Sequence, residues 1–65
     1  MNIIHFFVNG RFVYGGEEQT VVPRIGETIV FGTARVEYKV TNVVSSQQPD
    51  EAGDVTVQVH MTRIQ

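Results

Sequence analysis

The side chains of this 65-residue chain that could do chemistry are few: two histidines, seven acids, five basic residues and no cysteine. Without cysteine there is no thiolate nucleophile and no thiolate zinc site. Ser45 and Ser46 stand at a strand end beside a polar loop, outside any Gly-x-Ser-x-Gly elbow. His5 and His60 with an acid such as Glu37 are the one set with metal-binding or acid–base potential. Neither His-x-His nor His-x3-His spacing joins them, and His60 reads as a wet-face residue beside Lys39 and Glu37. Gly15-Gly16 and Gly32 fit neither phosphate-loop pattern and read as turn glycines. No catalytic residue, metal or cofactor is expected, and the chain reads as a non-enzyme.

Binding chemistry is better represented. Arg11, Arg24, Arg35, Lys39 and Arg63 are the basic residues, and the planar fork of Arg suits carboxylate and phosphate. Arg24 lies in the turn Pro23 to Gly26, where backbone N–H groups can also hold an anion. Arg35 and Arg63 are expected near one end of a hairpin. Arg24, Arg35, Lys39, His60 and Arg63 thus form the candidate ligand-binding set, a pocket for a small anionic ligand such as a nucleotide if symmetry repeats it. The competing reading pairs these Arg residues with Glu27, Glu37 or Asp54 as ordinary surface. A net charge of −2 and the lack of a basic stripe argue against a general nucleic-acid binder.

The elements that must position these residues follow from a hydrophobic period of two. Val55, Val57, Val59 and Met61 alternate with polar residues, as do Val36, Tyr38 and Val40, and the loop Ser46 to Gly53 joins the two runs into a hairpin. Centring that loop near Pro49 pairs Val40 with Val59 and Tyr38 with Met61 on the inner face, and Lys39 with His60 and Thr41 with Gln58 on the outer. Asn42 falls where an apolar residue is due, which predicts a bulge at Thr41 to Val43. Straight, Arg35 to Ser45 would span about 36 Å, more than the roughly 28 Å diameter of a compact domain this small; a bend is expected.

At the N-terminus, Asn9-Gly10 between two apolar runs predicts a type I′ hairpin of Ile3 to Val8 with Arg11 to Tyr14. The first of these strands is apolar on both faces, Ile3 and Phe7 on one, Ile4, Phe6 and Val8 on the other. Gln19 to Val22, the turn Pro23 to Glu27 and a short strand Thr28 to Phe31 follow, then a tight connection at Gly32-Thr33-Ala34. At most a single helical turn is expected, at Pro49 to Ala52. The sum is one domain, residues 1–65, of the all-β class: a small SH3-like barrel of five to six antiparallel strands with an N-terminal β-hairpin.

A chain this short hides only about 60% of the surface its unfolded form exposes. Without disulfides, self-association is the expected remedy, and Ile4, Phe6, Val8, Phe12 and Tyr14 are the candidate interface of a homo-oligomer. No run approaches the ~20 apolar residues of a membrane span, and the start lacks a basic n-region, so no membrane partner and a cytoplasmic location are expected.

The run Val22-Pro23-Arg24-Ile25-Gly26-Glu27-Thr28-Ile29-Val30-Phe31, then Tyr38-Lys39-Val40-Thr41-Asn42-Val43-Val44 and Val55 to Val59, resembles short SH3-like β-barrel proteins of phages and mobile elements. They share a Pro-x-x-Gly-acidic turn and a Tyr-x-Val-x-x-Val strand. The resemblance covers about two thirds of the chain and carries no catalytic signature. It implies a barrel and a phage setting, with a bacterial host's cytoplasm as the location, where small homo-oligomers sequester host immune signals such as nucleotides. The alternative is an SH3-like adaptor for protein or RNA.

Overall fold

Turn chemistry and alternation account for the strand boundaries. The computed structural model describes residues 2–19, 21–31, 34–46, 48–49 and 51–64, and there is no helix among them. Five strands form: β1 (Asn2–Val8), β2 (Arg11–Gln19), β3 (Thr28–Phe31), β4 (Val36–Ser45) and β5 (Val55–Arg63). All belong to one sheet in the order β2-β1-β5-β4-β3. The all-β, five-strand expectation holds; Gly32 and Thr33 of the expected tight connection lie outside the described residues.

Asn9 (φ 52°) and Gly10 (φ 79°) both adopt the positive φ of a type I′ turn between β1 and β2. A Cβ on Gly10 would point into open space, so Gly10→Ala should cost only the left-handed backbone term, about 1 kcal/mol. Thermal unfolding should show Tm lower by about 4–8 °C.

One pairing corrects the antiparallel expectation: β1 runs parallel to β5, from Asn2 beside Val55 to Val8 beside Met61. Two antiparallel units, β1–β2 and β3–β4–β5, are thereby joined through the first and last strands. The place of β1 between β2 and β5 satisfies both of its edges; of its two apolar faces, Ile4 and Phe6 enter the core, while Ile3 and Phe7 on the other side are half-buried.

The sheet is curled into a half-barrel. Its edge strands β2 and β3 would lie about 19 Å apart across four flat strand spacings, yet the rings of Tyr14 on β2 and Phe31 on β3 are 5.9 Å apart. Ile4 and Phe6 of β1, Val40 of β4 and Val57, Val59 and Met61 of β5 fill the concave side as the core. The core therefore sits on the three central strands, and only side chains bridge the two edges.

Three local expectations need correction. β2 does not stop at Tyr14: it runs through Gly15 and Gly16 to Gln19, with register shifts opposite Ile4/His5 and Phe6/Phe7 that bend it along β1. The glycines are bulge residues within a strand. Up to Val40 the β4–β5 register is two residues from expectation, Val40 facing Met61, Tyr38 facing Arg63 and Lys39 facing Thr62; past the bulge it is three, with Asn42 facing His60 and Val44 facing Gln58. The loop is centred nearer Glu51, because Ser46 N donates to Thr56 O (2.9 Å) and Thr56 N to Ser46 Oγ (3.1 Å). The even shift before the bulge preserves the faces, which is why the core there was still read correctly.

The predicted bulge is present, with the register slipping between Val40 and Asn42 and Thr41 left opposite no partner residue. Thr41 Oγ1 donates to His60 O (3.2 Å), and Val43 N donates to its neighbour Asn42 Oδ1 (3.0 Å). The length argument for it fails, since the longest dimension is 39 Å; the bulge instead returns Val43 to the core side opposite Val59.

Candidate functional site

Where β2 and β3 approach without pairing, the concave side opens into a cleft of about 860 Å³. Its floor is Phe6 of β1 and Tyr38 of β4, one wall is Val13 and Tyr14 of β2, and the other is Ile29, Val30 and Phe31 of β3. Val21 and Pro23, from the β2–β3 connection, also line it, and among the described residues its one charged lining residue is Glu27.

Four aromatic rings organise this cleft. Phe31 is at the centre, 5.0 Å from Phe6, 5.9 Å from Tyr14 and 5.9 Å from Tyr38, and Phe6 lies 6.3 Å from Tyr14. Such spacings and tilted rings are the favoured geometries of aromatic contacts. They hold the two sheet edges together where no ladder does.

The turn before β3 is fixed to the body of the sheet. Gly26 N donates to Val40 O (2.8 Å), Val40 N to Glu27 O (2.9 Å) and Glu27 N to Arg24 O (3.1 Å). Gly26 takes φ 92°, so glycine is what lets the chain reverse there and bring Glu27 to the cleft. The Pro-x-x-Gly-acidic run thus positions an acid at an aromatic groove.

The residues expected to bind an anion are elsewhere. Arg24 is exposed on the turn, Arg35 is exposed before β4 with φ 54°, Lys39 is exposed on β4 opposite Thr62, and Arg63 ends β5 opposite Tyr38. His60 lies on the convex face, stacked on Phe7 at 5.0 Å with 18° between the rings, its Nε2 3.2 Å from Gln58 Oε1. His5 packs edge-on against Phe12 at 5.5 Å. None of the five candidate ligand residues lines the cleft. Among the described residues no three His, Asp or Glu side chains gather as a metal site, and no helix is long and apolar enough to cross a membrane.

Of the expected interface, Ile4 and Phe6 are buried in the chain's own core and Val8 packs against it, while Phe12 and Tyr14 are exposed. Exposed large apolar residues include Val13, Tyr14, Val21 and Val30 along the open seam, with Phe12, Ile25, Val44 and Ile64 outside it.

No family model, curated protein or solved structure matches the chain. The cleft is therefore read from its chemistry alone. In the sequence Tyr38 was visible as an inner-face alternation position and Phe31 as the end of a short strand. The signal that would have found the cleft is the tyrosines: a phenol on an inward position needs water or a partner for its hydroxyl, and so marks an opening.

Proposed function

We propose that the chain is a non-enzymatic protein-binding module whose cleft takes an extended, proline-containing segment with a basic residue beside Glu27. The observation that carries this reading is that both tyrosines of the chain, with Phe6 and Phe31, line one open apolar groove. A polyproline II segment is pre-extended and loses little entropy on docking against such rings. The acid at the rim and the net charge of −2 favour a cationic flank.

A nucleotide held by Arg24, Arg35, Lys39, His60 and Arg63, as in phage counter-defence, has weaker support, because these side chains lie outside the cleft. Only a symmetric assembly would gather them. The SH3-like classification is likewise part of this proposal, resting on the half-barrel and the turn motif.

Because the chain has no Trp, intrinsic fluorescence comes from Tyr14 and Tyr38. Titration with a proline-rich basic peptide should change that emission saturably. Tyr14→Ala should weaken binding about 30-fold, as for an aromatic hot spot, and Glu27→Lys should reduce selectivity for the basic flank. A thermal-shift panel in parallel decides between the readings: a rise with nucleotides and none with the peptide would overturn this one.

A further inference from the structure

The two open edges of the sheet are unlike. β2 is bulged at two places and opens with the charged Arg11, devices that discourage strand pairing. β3, Thr28-Ile29-Val30-Phe31, pairs with β4 in unbroken register and has no charge and no proline. It is an unguarded edge.

Its free backbone groups can be assigned. Val40 N donates to Glu27 O, and hydrogen-bonded positions alternate along an antiparallel pair. Ile29 and Phe31 therefore bond to β4, and the N–H and C=O groups of Thr28 and Val30 face the open side. Val30 is 48% exposed, Ile29 and Phe31 are half-buried, and all three border the cleft.

We infer that β3 pairs with β3 of a second copy of this chain, antiparallel about a two-fold axis at Ile29. In that register Thr28 bonds Val30 of the other copy and Val30 bonds Thr28, giving four backbone hydrogen bonds and satisfying the free groups of both edges. Ile29 then faces its own counterpart at a non-hydrogen-bonded position. Since Ile29 lines the cleft, each copy extends the wall of the other's groove.

A second copy is favoured over a free peptide at this edge because the strand is short. A free peptide would lose conformational freedom at every residue it ordered, which offsets the small net gain of each hydrogen bond; a second β3 is ordered already. The edge is also self-complementary, as a two-fold contact requires. The pairing holds whether or not the cleft takes a peptide.

Sedimentation over a concentration series should show a monomer–dimer equilibrium for the wild type. Val30→Lys should raise the dissociation constant about 100-fold, since it places an unpaired ammonium on the paired edge, with an unchanged circular dichroism spectrum because Val30 is outside the core. In this cysteine-free chain, Ile29→Cys should form a disulfide-linked dimer on mild oxidation, two such positions having Cα atoms about 4.5 Å apart, and Val13→Cys on β2 should not. A wild type that stays monomeric, a dimer indifferent to Val30→Lys, or a dimer in which Ile29→Cys fails to cross-link would overturn the inference. A monomer that still binds the peptide would leave the cleft reading standing.

Discussion

Gly15→Ala should lower Tm by roughly 12–24 °C, the equivalent of about 3 kcal/mol in a domain of this size. A Cβ at Gly15 would run into the carbonyl oxygen of Ile4 and lie 2.7 Å from His5 Cα, and both obstacles are backbone. Neither can rotate away. Gly15 also takes φ 146°, which an L side chain rarely adopts. Ile4 is in the core, 1% exposed, so the atoms that would have to yield belong to a central, core-forming strand. Relief would push β2 off β1 and carry Tyr14 away from Phe31. Gly16→Ala is the control: a Cβ there meets nothing within 4 Å, and the cost should be only the backbone term of about 1 kcal/mol at φ 92°. Thermal melts of the two variants check this, and equal Tm values would show that the close approach of β2 to β1 is absent.

Phe31→Ala should have the second-largest effect and should act on stability and binding together. Phe31 touches Phe6, Tyr14 and Tyr38, rings from three other strands. Truncating a fully buried Phe costs about 3–5 kcal/mol; at a half-buried site the loss should be roughly 2 kcal/mol, or about 8–16 °C in Tm. The damage should be local, because β3 is held to the sheet by one ladder and this ring. Amide exchange should accelerate in β3 and at Tyr14 while β1 and β5 stay protected. Peptide binding should fall by about 30-fold or more, since the ring forms part of the groove wall. Phe31→Leu, which keeps bulk and loses the ring, should recover most of the stability and little of the binding. Full binding by Phe31→Leu would remove the aromatic requirement.

The sequence disclosed the inner and outer faces well, because alternation in β4 and β5 is a local signal and survives a register error of two. Asn9-Gly10 and the bulge at Thr41 were legible for the same reason: each breaks or turns the chain within a few residues. The parallel contact of β1 with β5 was not, since it joins segments about 50 residues apart and no turn between them specifies it. The Gly15-Gly16 pair was misread because a glycine that turns a chain and one that lets a strand bulge against its neighbour look alike without the neighbour. The cleft escaped for a related reason. Phe6, Tyr14, Phe31 and Tyr38 come from four strands, and only the curl of the sheet gathers them. The basic residues drew the first reading because charge is conspicuous in sequence, whereas apolar surface is conspicuous only once burial is known.

The two predictions converge on the seam between β2 and β3 as the functional part of the molecule. The most direct measurement is a map of backbone amide chemical shifts on titration with the proline-rich basic peptide. The account predicts saturable shifts concentrated at Val13, Tyr14, Glu27, Ile29, Phe31 and Tyr38, with Phe7, Lys39 and His60 on the convex face unmoved. Shifts centred on Arg24, Arg35, Lys39 and Arg63, or on the Phe7–His60 face, would contradict it.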